Sequence, residues 1–264
     1  MYSRFNVNLD STGFLKDYYE IGHAVLKDNQ IKLHAALDFY TDGNGTIDGG
    51  KLQEDWFSTI PVDVFISHSH KDVDIAISFA GWLHKELGLS SFVDSCLWGY
   101  IGDLLTEIND RYNLIHAEPN RTKTYDHQGA INASTHVDAM LSMSLNKMIQ
   151  HSEAVFFLNT DNSVITSKNY PDKPGTYSPW IYLELSIANT IAITPPKRPG
   201  LEYRTDEFEH KLLIQYPVNL TEFRILNNAI LSRWKFLYQV TSNHHPLDIL
   251  YNYHRYKIAE GHVN

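Results

Sequence analysis

Cysteine is almost missing from these 264 residues: Cys96 stands alone. A disulfide framework within the chain is thereby excluded, and the scarcity fits a reducing compartment. Also absent is any run of about 18 apolar residues, and Met1 to Leu15 holds no apolar stretch of signal-peptide type. These two absences predict a soluble, cytoplasmic protein without a membrane span. Basic excess is lacking as well, with 22 Lys+Arg against 31 Asp+Glu for a formal charge of −9. A surface for nucleic acid or anionic lipid needs a basic stripe, so neither is expected as a partner. No internal repeat or low-complexity tract occurs. What is present is ordinary for a globular chain: 43% apolar and 12% aromatic residues, enough for a real core. The length allows one large domain or a domain with an appendage.

The stretch from Pro61 to Asp72 organises the reading. Val62, Val64, Phe65 and Ile66 form a short apolar run suited to a strand buried on both faces of a parallel sheet. The chain turns polar at Ser67, and an amphipathic stretch begins at Asp72. Ligands of open α/β sheets bind outside the carboxyl ends of the strands, which places Ser67, His68 and His70 at that rim.

Residues 1–60 read as an N-terminal helical appendage, helical from Phe14 to Tyr40 with a break at Asp28-Asn29. The run Asp42 to Gly50 has the look of a calcium loop, but counting from Asp42 the sixth position is Ile47 and the twelfth is Gln53. An EF-hand needs Gly and Glu there, so a Gly/Asp-rich turn leading into the first strand is expected instead. After that strand, Val73 to Leu87 predicts a core-facing helix ended by Gly88. Leu89 to Val93 reads as the second strand, with Asp94 at its carboxyl end and an aromatic, glycine-bearing loop from Ser95 to Asp103 behind it. Residues 106–133 show no clear period and read as an inserted loop or lid. Ser134 to His151 is helical, and Ala154 to Leu158 is the third buried strand, ending in Asn159-Thr160.

Ser178-Pro179 then signals a helix start, with Ser as N-cap and Pro at the first helical position, and the helix is expected to reach about Thr190. Ile191 to Ile193 and Leu212 to Ile214 are candidate strands, while Ile225 to Gln239 and His245 to Ile258 read as closing helices. Strands alternating with helices argue a doubly wound α/β fold.

On the helix from Pro179, Trp180 and Glu184 share a face. The apolar stripe runs through Ile181, Leu185 and Ala188, or through Leu183 and Ile187, leaving Glu184 near its boundary. Glu184 reads either as a catalytic carboxylate beside an aromatic ring or as a solvated acid in the early part of a helix. His68 and His70 lack a third ligand at suitable spacing, so no metal site is expected. His244-His245 reads as capping or preceding the last helix. Cys96 is a nucleophile or a small packed residue. Trp98 packs under its loop or meets a substrate, and Asp94 lines a site or holds its loop through backbone amides.

Val62-Asp63-Val64-Phe65-Ile66-Ser67-His68-Ser69 resembles the first-strand motif of Toll/interleukin-1 receptor (TIR) domains. Ser178-Pro179-Trp180-Ile181-Tyr182-Leu183-Glu184-Leu185 is similar to their Ser-x-Trp-x-x-x-Glu-Leu motif. Phe92-Val93-Asp94 with Leu97, Gly99 and Gly102 resembles the second strand and the loop after it, and His136 to Thr160 matches the second helix and third strand. The resemblance covers roughly residues 61–195. It implies a flavodoxin-like doubly wound parallel sheet over residues 61–240 with an insertion at 106–133, an N-terminal helical appendage at 1–60 and a C-terminal helical extension at 241–264.

The resemblance also implies one of two jobs. Many bacterial and plant TIR domains cleave NAD+ at the nicotinamide–ribose bond, and many animal receptor TIR domains are scaffolds. In the enzymes the motif glutamate is catalytic, which maps onto Glu184, with Ser67, His68, Asp94, Trp98 and Trp180 around the substrate. NAD+ is then substrate and no separate cofactor is implied. The whole chain resembles the TIR proteins of Thoeris-like antiphage defence, which turn NAD+ into a cyclic ADP-ribose isomer or an adduct that reaches a separate effector. Self-association through the TIR domain would follow. The rivals are a non-enzymatic assembly module and a plain hydrolase releasing ADP-ribose. The chain departs from the family at the usual Arg-Asp-x-x-Pro-Gly loop, replaced here by Ser95 to Asp103, and in its insertion.

Overall fold

The computed structural model describes residues 1–30, 37–57, 59–93, 95–117, 123–167, 170–196, 198, 220, 223–241 and 244–260. In chain order these form β1 (Ser3–Val7), α1 (Tyr19–Gln30), α2 (Gly49–Trp56), β2 (Val64–Ser67), α3 (Val73–Leu87), β3 (Ser91–Val93) and α4 (Ser95–Tyr112). Then come β4 (Leu114–His116), β5 (Thr124–Tyr125), α5 (His127–His151), β6 (Ala154–Leu158), β7 (Ile165–Ser167) and β8 (Tyr170–Gly175). The chain closes with α6 (Pro179–Thr190), β9 (Arg224–Leu226), α7 (Asn228–Val240) and α8 (Pro246–Glu260). Short 3-10 turns cover Gly13–Tyr18, Leu37–Tyr40 and His70–Asp72. No described helix is long and apolar enough to cross a membrane.

Two compact units result, Met1–Asp28 with Pro61–Val93 and Ile149–Asn264, and Asn29–Ile60 with Asp94–Met148. The first, the sheet unit, holds five strands in the order β3-β2-β6-β1-β9, every neighbouring pair parallel. The fold class is therefore α/β, a five-stranded parallel sheet flanked by helices. Its order β3-β2-β6 follows the 2-1-3 start of a flavodoxin-like sheet and is compatible with that arrangement. The next place is filled by β1, from the amino end of the chain.

That strand corrects the helical reading of residues 1–60. Ser3, Phe5 and Val7 point to one face and Arg4 and Asn6 to the other, and the two polar residues break up the apolar signal. Arg4 is 6% exposed. A buried guanidinium needs acceptors, and its Nη1 donates to the Ala188 carbonyl at 3.0 Å and to Asn189 Oδ1 at 2.9 Å. Those groups lie in the last turn of α6, where free carbonyls favour a cation. The same long-range partners were invisible in sequence.

The register Phe5↔Phe156 sets one face of the sheet. The two rings meet edge-on at 5.1 Å, and Phe156 also lies against Phe79 of α3 and Trp234 of α7. Tyr251 of α8 stacks on Phe5, and Trp234 Nε1 donates to the Pro246 carbonyl at 2.8 Å. Helices α3, α7 and α8 thus cover the Phe5 face, while Arg4 reaches α6 from the opposite one. Offset and edge-on ring pairs add a modest attraction to the area they bury.

Helix α1 docks on α3 through two glycines. A Cβ at Gly22 would stand 1.9 Å from the Ile77 carbonyl oxygen, and one at Gly81 would stand 2.2 Å from that of Tyr18. Only backbone against backbone fits there. Gly88 ends α3 at φ +67°, as its position in the sequence predicts. Nearby, Tyr18 donates to Glu86 at 2.6 Å and Lys235 pairs with the same carboxylate at 2.6 Å.

The helical unit holds α2, α4, the β4–β5 hairpin and most of α5. Ser95 to Tyr112 is helix where the sequence suggested a loop, and the expected insertion at 106–133 contains the end of α4, the hairpin and the start of α5. The Gly/Asp-rich turn leads into α2 and not directly into a strand. Asp48 caps that helix, accepting from the Gly50 and Lys51 amides. Ile191 to Ile193 forms no strand, and Leu212 to Ile214 lies outside the described residues.

Gly81→Leu should force α1 off α3 and lower stability by about 1–3 kcal/mol, the usual cost of overpacking, read as a drop in the urea midpoint. The Tyr18–Glu86–Lys235 cluster predicts two pH limits. The hydrogen bond to Glu86 pushes the Tyr18 phenol up to about 12. The folded state therefore holds that proton longer than the unfolded chain, and its stabilisation fades as pH rises from about 10 to about 12. Burial works against the Glu86 charge, yet its bonds from Lys235 and Tyr18 hold it below its ordinary value. Its contribution is present above pH 4.5 and is lost on acidification. Glu86→Gln should flatten the acid limb of a stability–pH profile and Tyr18→Phe the alkaline one.

Candidate active site

The connections leaving β2 and β6 run to opposite edges of the sheet, to β3 and to β9 respectively. A crevice outside the carboxyl ends of two such strands is where open α/β sheets take ligands. β2 is wholly buried and ends there at Ser67, followed by the buried His68 and Ser69. The 3-10 turn His70–Asp72 then carries the chain into α3, with His70 exposed.

On the α6 side the expected helix start is observed: the Ser178 side chain accepts from the Ile181 amide at 3.3 Å, and Pro179 opens the helix. Ile181, Leu185 and Ala188 form the buried stripe, and Glu184 lies inside that stripe and not at its boundary. The solvated-acid reading is overturned, since Glu184 is 1% exposed. Its Oε2 accepts a hydrogen bond from Ser67 Oγ at 2.7 Å, and Ser67 is itself 0% exposed. Two polar residues 117 positions apart thus meet in the interior. A carboxylate withdrawn from water costs several kcal/mol unless bonded, so this hydroxyl is part of what makes the arrangement tolerable.

The other sequence-nominated residues are distributed less evenly. Trp180 lies one turn before Glu184 and is half-buried, and His68 directly follows Ser67 at 3% exposure. Asp94 lies outside the described residues. Trp98 belongs to α4, but its side chain lies outside them too.

A second network, which sequence reasoning missed, closes the same rim. Asp72 is 4% exposed, and its carboxylate accepts from Thr160 Oγ1 at 2.5 Å and from Asn162 Nδ2 at 2.8 Å. Ser163 Oγ in turn donates to the Leu158 carbonyl at 2.8 Å. This ties the turn after β2 to the loop after β6. The polar pair Asn159-Thr160 hinted at the loop, but nothing in the spacing joined it to Asp72. Beside the network, at the ends of β1 and β6, lies a cleft of about 230 Å³ lined by Asn8, Thr12, Ile75, Asn159, Thr160 and Asp161 with apolar neighbours. Neither Ser67 nor Glu184 lines it.

Chemistry-bearing groups also gather at the amino ends of the strands. Arg198 forks to Glu153 at 2.7 and 2.6 Å and to Asp248 at 2.7 and 2.5 Å, and the Tyr251 hydroxyl donates to Glu153 at 2.9 Å. Burial opposes the guanidinium charge, but the two carboxylates hold its pKa above the ordinary arginine value. Burial, with the neighbouring Glu153 charge, raises the Tyr251 phenol well above its own. Glu153, His245 and Asp248 have ligand atoms within 4.8 Å of one another, as a metal would need. Arg198 already supplies the positive charge between the two carboxylates, so the donor set fits an ion-pair clasp of α8 to the sheet better than a cation site.

Comparison with family models, with curated proteins and with solved structures returns no match. The functional reading therefore rests on the geometry and on the motifs.

Ser67→Ala removes one donor from a buried carboxylate. A loss of about 1–3 kcal/mol is expected from an unfolding titration at neutral pH, against less than about 0.5 kcal/mol for an exposed serine changed likewise.

Proposed function

We propose that the protein consumes NAD+, cleaving the nicotinamide–ribose bond with Glu184 as the catalytic carboxylate, in the manner of TIR-domain enzymes. The observation that carries this reading is the buried Glu184–Ser67 pair at the carboxyl end of β2, beside the point where the crossovers diverge. A fold keeps an acidic side chain in its interior at a cost, and such groups gather at functional sites.

The chemistry follows from charge. Departure of neutral nicotinamide from the cationic ring carries off the bonding electron pair and leaves an oxocarbenium-like ribose. A fixed carboxylate stabilises that developing positive charge and can hold the ribose hydroxyls. Water then gives ADP-ribose and a proton, an internal nucleophile gives a cyclic isomer and a proton, and another acceptor gives an adduct. Trp180, one turn before Glu184, offers a flat face to the departing ring. His68 directly follows Ser67, and the motif resemblance nominates Asp94 and Trp98 as further substrate residues. Reaction requires a state in which Glu184 becomes accessible.

In this reading the TIR domain self-associates, acts in the cytoplasm and passes a cyclic or adduct product to a separate effector in antiphage defence. One observation favours a rival: at 1% exposure Glu184 serves equally as an internal strut of a non-enzymatic TIR assembly module.

Cells or lysate carrying the wild type should lose NAD+, and Glu184→Gln should slow the loss at least about 100-fold, the scale of removing one electrostatic stabiliser. Separation of products by chromatography and mass identifies the acceptor: ADP-ribose less water for cyclisation, ADP-ribose for hydrolysis, a heavier species for an adduct. NAD+ that survives the wild type under phage challenge, or equal consumption by the variant, leaves the assembly module as the function.

A further inference from the structure

The helical unit contains a cavity of about 510 Å³, within the usual range for a small-molecule site. It lies between the Gly/Asp-rich turn with the start of α2 on one side and α4 and α5 on the other. Leu52, Ile108 and Met140 supply apolar wall, and Tyr112 and His136, both exposed, stand at its mouth. Among the described residues, no Asp, Glu, Lys or Arg lines it. A charged occupant would give up its hydration without gaining a counter-charge, so the cavity selects a neutral one.

Gln53 supplies the polar feature of the wall. Its Nε2 donates to the Met140 carbonyl at 3.3 Å and to Ser144 Oγ at 3.1 Å, both on α5. Both amide hydrogens are thereby engaged and the plane of the amide is held. The atom it can offer an occupant is the carbonyl oxygen, an acceptor. Gly49 adds a second observation. A Cβ there would meet nothing within 4 Å, and its φ is not left-handed, in contrast to Gly45 at +84° in the same lining. Neither backbone nor packing requires glycine at 49, yet its absent side chain leaves this part of the wall open.

We propose that this cavity binds a neutral, mainly apolar small molecule, of about nine to twenty non-hydrogen atoms, that carries one N–H or O–H donor for Gln53. The site is separate from Glu184 and independent of any NAD+ chemistry.

Indole, which is neutral, flat and has a single N–H, is the probe. The full chain is labelled with 13C at the methionine methyl groups, four in all, and titrated by NMR. The Met140 resonance should move saturably, while those of Met143, which is 52% exposed, and Met148, which is 1% exposed, stay in place. 1-Methylindole, lacking the donor, should bind about five-fold more weakly, the worth of one hydrogen bond. Gly49→Leu should abolish the saturable shift with the melting temperature retained, and Ile108→Trp fills the same space from α4 should the first variant unfold. A shift that stays linear to the solubility limit, equal movement of Met143, or unchanged binding in both filled variants overturns the site. Equal binding of indole and 1-methylindole overturns the role of Gln53.

Discussion

Parallel neighbours cannot be joined by a tight turn: the chain must travel back the full length of a strand before it can pair again. All five strands of the sheet unit obey this rule, and the chain uses the obligatory return paths to build something else. Residues 29–60 belong to the excursion between β1 and β2, and residues 94–148 to the excursion between β3 and β6. The helical unit with its cavity is thus assembled from two detours of one sheet. The carboxyl ends of the strands are left to polar side chains, because every outgoing connection starts there.

The sheet unit keeps its charges paired at both ends, by different means. At the carboxyl ends, carboxylates are met by hydroxyls and an amide: Glu184 by Ser67, Asp72 by Thr160 and Asn162. At the amino ends, Glu153 and Asp248 are met by a guanidinium. The second solution is a strong, rigid clasp. The first holds its carboxylates through neutral donors.

How much of this the sequence disclosed depended on range. Elements written in local periodicity or caps were legible: β2, α3 with its Gly88 stop, β6, and α6 from Ser178 to Thr190. Glu184 stood out by its spacing from Trp180, yet its burial was not, because on a helix only the partner decides which side of a stripe is buried. β1 escaped notice because Arg4 and Asn6 interrupt it, and the tolerance of Arg4 depends on α6, 184 and 185 residues later. α4 was mistaken for a loop because Gly99 and Gly102 and a string of aromatics obscured its period. The Asp72 network and the Arg198 clasp join positions 45 to 90 residues apart, and no local pattern encodes such pairings.

The pairing of β1 has a consequence for synthesis. Ser3 lies against Ala154, and the other neighbour of the strand begins at Arg224. A nascent chain growing at roughly 5–20 residues per second therefore carries β1 without a partner for about 8–30 s. During that interval Phe5 and Val7 present a β-prone edge to every other chain nearby. Arg4 and Asn6 keep the waiting segment polar along one side, as gatekeeper residues do for exposed strands. The same arginine that is later buried against α6 thus puts a charge on the waiting strand.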